Sequence, residues 1–74
     1  MQLTVKLFAT LRHNRFKAKI KEFDQGITVE QAIKVLDIPE EEVSLIMVNG
    51  ILVQKEYVLK DGDTLALFPP IGGG

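Results

Sequence analysis

The chain has 74 residues, 46% apolar and 26% charged, with 10 acids against 9 lysines and arginines and a net charge of −1. This length suits one small domain near the lower limit for a self-sufficient core. The absence of cysteine excludes disulfides, thiolate zinc sites and a cysteine nucleophile. His13 is the sole histidine, so a histidine-based metal site lacks partners within the chain, and no metal site is expected. The core must rest on apolar packing alone. No apolar run approaches the roughly 20 residues needed to span a bilayer. The sequence opens on strand-like residues rather than a signal peptide, which predicts a cytoplasmic protein with no membrane association.

From Gln2 to Ala9 the pattern alternates, with Leu3, Val5 and Leu7 on one side and Thr4 and Lys6 on the other, predicting a half-buried strand. Thr10 to Asn14 is polar and reads as a turn or loop. Phe16, Ala18 and Ile20 then alternate with Lys17, Lys19 and Lys21, predicting a second strand with a dry apolar face and a wet lysine face, paired antiparallel to the first. Gly26 closes this region. Thr28 and Gln31 have the spacing of a capping box, and Val29, Ala32, Ile33 and Leu36 make an apolar helical stripe. Pro39 cannot continue a helix and biases Ile38 away from helical geometry, so the helix is expected to end near Asp37. Glu40-Glu41-Glu42 reads as a solvated turn.

Leu45 to Val48 is a continuous apolar run, expected of a strand covered on both faces. Asn49-Gly50 is a hairpin signal, and Ile51 to Val53 forms the returning strand. Asp61-Gly62-Asp63 makes another tight turn, Thr64 to Phe68 the last strand, and Pro69 and Pro70 stop it. The resulting order is strand, strand, helix, strand, strand, strand. One helix covering one face of a small mixed sheet gives a two-layer α+β domain over residues 1–70, with a flexible tail over 71–74.

Charge is unevenly spread. Residues 1–21 carry Lys6, Arg12, Arg15, Lys17, Lys19 and Lys21 with no acid, whereas every acid lies from Glu22 onward, beside only Lys34, Lys55 and Lys60. A basic stretch can serve a nucleic acid or an acidic partner. The reading preferred here is a solvated strand face whose lysines discourage edge-to-edge pairing, with no nucleic acid bound, because an acidic chain is poorly suited to phosphate. No exposed aromatic interleaves with those lysines as base stacking requires.

No catalytic constellation can be assembled. His13 has no neighbouring acid to orient it and reads as a surface residue rather than a general base. Ser44 and the threonines lack an activating base. What stands out is the end of the chain, Phe68-Pro69-Pro70-Ile71-Gly72-Gly73-Gly74. Two stiff prolines project a tail. Glycines without Cβ atoms can thread a narrow channel, and ordering them requires compensating contacts from a partner. The α-carboxylate of Gly74 is then the accessible acyl group.

The chain resembles the MoaD/ThiS family of β-grasp sulfur carriers, relatives of ubiquitin. The resemblance rests on Lys6-Leu7-Phe8-Ala9 with Leu11-Arg12, on Gly26-Ile27-Thr28-Val29, and on Val48-Asn49-Gly50. It continues through Leu59-Lys60-Asp61-Gly62-Asp63 to the terminal Phe68-Pro69-Pro70-Ile71-Gly72-Gly73-Gly74. It implies a ubiquitin-like β-grasp fold with a diglycine tail, and a carrier rather than an enzyme in its own right. It also implies that Gly74 is adenylated by a ubiquitin-activating-enzyme-like adenylyltransferase (MoaB/MoeB/ThiF-like) and then thiocarboxylated. ATP and magnesium are used by that partner, and no cofactor is bound by the chain itself.

Within the family, the Phe-Pro-Pro segment resembles the molybdopterin synthase small subunit. Its tail enters a large subunit (MoaE-like), and its thiocarboxylate supplies sulfur for the molybdenum cofactor. By that resemblance Phe8, Leu52 and Phe68 form an apolar docking patch, and Pro69, Pro70, Ile71, Gly72 and Gly73 form the inserted tail. Gly72 departs from many small subunits, and the triple glycine resembles the thiamine-pathway carriers that serve thiazole synthase; the trimmed region between Leu11 and Phe16 is also short for the molybdopterin branch. A lysine-conjugating modifier of ubiquitin type would use the same activated glycine, and a non-catalytic binding module would use a sheet face and no tail.

Overall fold

In the computed structural model, which describes residues 1–70, the first alternating segment forms strand β1 (Gln2–Leu7). It places Leu3, Val5 and Leu7 at the centre of the core. The strand is shorter than the alternation suggested, because Ala9 adopts φ 52° and starts a 3₁₀ turn over Ala9–Arg12. The polar loop expected there is thus partly helical. Its one apolar residue, Leu11, is fully buried, and that burial holds the turn against the sheet.

Strand β2 (Ala18–Glu22) pairs antiparallel with β1, as expected, in the register Leu3↔Lys21, Val5↔Lys19 and Lys6↔Ala18. Residues directly opposite each other point to the same face. Lys19 and Lys21 therefore share the face of Val5 and Leu3, whereas Ala18 and Ile20 share the face of Lys6 and Thr4. This reverses the expected dry and wet sides of the strand. Ile20 is 65% exposed and Lys21 is half-buried. Phe16 does pack against the core, but from the loop before β2 rather than from its apolar face.

Helix α1 (Val29–Val35) begins with the expected capping box. The Gln31 N–H donates to Thr28 Oγ1 at 3.2 Å, and the Thr28 N–H donates to Gln31 Oε1 at 3.0 Å. Val29, Ala32 and Ile33 face the core. The helix ends where expected. Asp37 takes φ 59°, the Ile38 N–H reaches Ile33 O at 3.2 Å, and the Asp37 N–H reaches Lys34 O at 3.0 Å, a Schellman closure that satisfies the last carbonyls. Glu40–Glu42 is a short 3₁₀ turn with no buried residue.

Strands β3 (Leu45–Val48) and β4 (Ile51–Leu52) form the Asn49-Gly50 hairpin, with φ 53° and 81° at the two turn residues, as a type I′ turn requires. Strand β5 (Thr64–Phe68) lies parallel to β1 and antiparallel to β3. The sheet order is β2-β1-β5-β3-β4. The helix covers one face, so β3 is not covered on both: Val48 is buried, whereas Leu45 on the open face is 39% exposed. Among the described residues no helix is long and apolar enough to cross a membrane.

Asp63 is the buried charged side chain of the described residues, and all its strong contacts are satisfied. It accepts from Asn49 Nδ2 and from the Lys60 N–H, each at 2.9 Å, while Asn49 Oδ1 accepts from the Thr64 N–H at 2.9 Å. This network ties the β3–β4 hairpin to the turn before β5, and so fixes the strand from which the tail departs.

Candidate docking face and tail

The alternation in β5 sends Leu65 and Leu67 into the core and leaves Thr64, Ala66 and Phe68 on the open face. Parallel pairing aligns Leu7 with Leu67, and the chain stays extended at Phe8, with φ −121° and ψ 150°. The next residues in register, Phe8 and Phe68, therefore meet. Their rings stack with centroids 4.3 Å apart and an interplanar angle of 11°. Both are half-buried, so one side of the pair contacts protein and part of it remains open.

Arg12 completes the column. Its Nε donates to Leu7 O at 2.7 Å, and its guanidinium carbon lies 5.4 Å from the Phe8 ring centroid. The hydrogen bond fixes the planar cation over the aromatic face, where the ring quadrupole attracts it. Arg12 is a member of this face that the sequence reading did not single out. Its signal was present in the Leu11-Arg12 pair, where burying Leu11 in a 3₁₀ turn directs its neighbour back over β1.

On the other side of β5, Leu45 stands opposite Phe68 and Met47 opposite Ala66. Leu52 pairs with Met47 and is 62% exposed. Leu52 therefore shares the open face with Phe68 but lies two strands away, with Leu45 and Met47 bridging the gap. Phe8, Leu52 and Phe68 occupy one continuous apolar surface of the sheet. Leu45 and Met47 belong to it as well, and the expectation of a strand covered on both faces concealed them.

Pro69 is half-buried and Pro70 exposed, directly after the stacked Phe68. Pro69 and Pro70 thus leave the sheet from the aromatic column. Ile71, Gly72, Gly73 and Gly74, named above as tail and acyl site, lie outside the described residues. His13 lies in a polar recess with Asp37, Glu42 and Arg15. Thr10 also lines that recess, and Arg15 Nη1 there is 3.7 Å from Glu42 Oε1; the fold thus brings acids near His13 that its neighbours in sequence do not supply. Among the described residues no group of three or more His, Asp or Glu side chains is arranged to hold a metal ion.

At the β4 end of the molecule, Lys55 Nζ lies 3.5 Å from Glu30 Oε2 and 3.8 Å from Glu40 Oε1. Glu30, and after it Glu40, hold the ammonium above the ordinary lysine range. This ion cluster bridges the helix start to the loop after β4, and its Glu40 and Lys55 line one recess with Leu45 and Leu52 of the apolar face.

The profile of the ThiS family matches residues 5–74. No curated protein matches the chain significantly. Among solved structures, SAMP1 from Haloferax volcanii superposes with a TM-score of 0.80 at 24% identity, covering 100% of both chains. A Pyrococcus furiosus protein assigned as molybdopterin converting factor, subunit 1, gives 0.77 at 28% identity, covering 96% of this chain and 99% of that one. The structure of subunits 1 and 2 of the Helicobacter pylori molybdopterin-converting factor in complex gives 0.69 at 24% identity, with 100% of both chains covered. The strand order, the single helix across the sheet and a family match over nearly the whole sequence make one assignment: the chain belongs to the ThiS family, within the MoaD/ThiS group of ubiquitin-like sulfur carrier and modifier proteins.

Proposed function

We propose that this chain carries sulfur on the carboxylate of Gly74 and donates it in molybdenum cofactor synthesis, as the small subunit of a molybdopterin synthase. The observation that carries the reading is the Arg12–Phe8–Phe68 column at the root of the tail, continuous with exposed Leu45 and Leu52. Enclosing a glycine-rich segment costs conformational entropy, and an aromatic anchor immediately before it can offset that cost by docking first. The 28% identity to the Pyrococcus furiosus subunit 1 protein supports the same branch. The partner this face fits is a large subunit of the kind found with subunit 1 in the Helicobacter pylori complex.

The chemistry proposed for Gly74 needs two steps. Its carboxylate attacks the α-phosphorus of ATP on an adenylyltransferase and expels pyrophosphate, leaving an acyl-adenylate. Hydrosulfide released by a sulfur donor then attacks the acyl carbon, AMP departs with the bonding pair, and loss of the proton leaves a thiocarboxylate. The chain supplies the acyl group and the docking face; ATP, magnesium and the catalytic groups belong to the partner.

A second reading, sulfur donation to a thiazole synthase, is favoured by the third glycine, Gly72. Reconstitution with each acceptor separates the two. The thiocarboxylated protein should convert the pterin precursor with a molybdopterin synthase large subunit and give no thiazole with the thiazole synthase. The reverse outcome moves the chain to the thiamine branch. A single residue appended after Gly74 should abolish ATP-dependent pyrophosphate release with the cognate adenylyltransferase while leaving the fold unchanged. Full release by the extended chain would contradict sulfur carriage at this terminus.

A further inference from the structure

The outer edge of β2 is built differently from the rest of the surface. The Leu7 N–H donates to Lys17 O at 2.9 Å and the Phe23 N–H to Met1 O at 2.8 Å. Backbone groups in an antiparallel ladder alternate between the two sides of a strand. Lys17, Lys19 and Lys21 therefore spend theirs on β1, while the N–H and C=O groups of Ala18, Ile20 and Glu22 point outward from a strand that ends the sheet. The side chains alternate in the other direction. Lys19 and Lys21 stand on the helix side with Val5 and Leu3, whereas Ala18 and Ile20 stand on the open face, where Ile20 is 65% exposed.

Two of the lysines also share an aromatic neighbour. The ammonium groups of Lys19 and Lys21 sit 6.0 and 5.9 Å from the centroid of the same Phe16 ring. None of the three lysines takes part in an ion pair among the described residues, and nearby Glu22 is engaged by the Met1 ammonium at 3.5 Å.

We propose that this edge receives an extended segment of a partner protein, added as a further strand, in which acidic side chains alternate with apolar ones. Such a segment would pair its backbone with Ala18, Ile20 and Glu22. It would set its acids beside Lys17, Lys19 and Lys21 on one face and its apolar side chains beside Ala18 and Ile20 on the other. Main-chain bonds supply affinity in strand addition, and the alternating side chains supply selectivity.

A second copy of this chain is the wrong occupant, because antiparallel β2–β2 pairing sets lysines beside lysines, and like charges across a ladder repel. The lysines that bar self-pairing are the groups that admit an acidic strand. A nucleic acid fits less well: the Phe16 ring is half-buried and packed against the core rather than offered for stacking, and phosphates have no use for the outward carbonyls. The opposite edge, β4, is only Ile51–Leu52, too short to template a strand. The β2 edge lies across β1 from the strand that launches the tail, so occupancy does not depend on sulfur carriage.

The test is amide chemical-shift mapping of the full chain with a short synthetic peptide in which glutamate alternates with valine. Expected are shifts centred on β2, slowed hydrogen exchange at the Ile20 amide, and weakening by added salt. The combined Lys17→Glu, Lys19→Glu and Lys21→Glu variant should bind at least roughly tenfold more weakly, as expected when charge complementarity across an interface is reversed. The same peptide N-methylated at alternate residues should lose binding comparably, since its strand-forming N–H groups are blocked while its charge is kept. Equal binding of the N-methylated peptide, shifts centred away from β2, or displacement of the peptide by a more tightly bound single-stranded RNA would each overturn the proposal.

Discussion

Asp37 sits at φ 59°, the left-handed position after a helix that glycine usually fills. An aspartate tolerates this better than most residues but still crowds its Cβ against the backbone. The Schellman bonds around it are made, so Asp37→Gly should keep them and relieve the strain. The expected result is stabilisation by about 0.5–1 kcal/mol, read as a raised urea midpoint at constant m-value. Asp63 is the opposite case. It accepts from Asn49 and from the Lys60 amide, and Asp63→Ala leaves both donors unmatched beside the core, at an expected cost of about 2–3 kcal/mol. Urea unfolding of that variant checks it, and a near-neutral result would mean that water replaces the carboxylate. Local chemistry of this kind was partly legible in the sequence. The Thr28–Gln31 box and the Asn49-Gly50 turn depend on near neighbours only. The role of Asp63 depends on Asn49, fourteen positions away, and no local pattern announces it.

Strand β2 shows why alternation alone is ambiguous. The period identified the strand and separated Ala18 and Ile20 from Lys17, Lys19 and Lys21, but it does not say which set faces the helix. Apolar side chains ordinarily choose the core. Here the antiparallel register with β1 decides instead, and at an edge strand the long lysine stems can lie along the core margin with their ammonium groups in water. Ile20→Thr should therefore change stability by no more than about 0.5 kcal/mol. Leu65→Ala, in the fully buried centre of β5, should cost about 2–5 kcal/mol. Thermal unfolding of the two variants side by side tests the inversion, because the apolar-inward arrangement requires a large loss at Ile20. The same openness accounts for β3: its continuous apolar run reads as doubly buried, yet Leu45 is 39% exposed, because a single helix covers only one face of the sheet.

For the molecule as a whole, the β-grasp order was legible because each element carried its own punctuation: a capping box, two tight turns and a proline stop. The apolar face proposed for docking was legible only through family resemblance, since Phe8 and Phe68 become neighbours through the parallel pairing of β1 with β5, between segments at opposite ends of the chain. Phe68→Ala should weaken binding of a large-subunit partner by about 2 kcal/mol or more, as loss of a central aromatic anchor does. Calorimetry with the partner measures this, and urea unfolding of the free variant separates docking from packing. A large stability loss with unchanged affinity would assign Phe68 to the core instead.

The most direct measurement is the intact mass of the chain after incubation with its cognate adenylyltransferase, ATP, magnesium and a sulfur donor, alongside Gly73→Val. The native chain should gain the mass difference between one sulfur and one oxygen, localised by fragmentation to Gly74. The Gly73→Val chain, folded but carrying a side chain where an enclosing channel needs none, should remain unmodified. Native protein that stays at its original mass, or that appears instead as conjugates joined through lysine, would contradict sulfur carriage at Gly74.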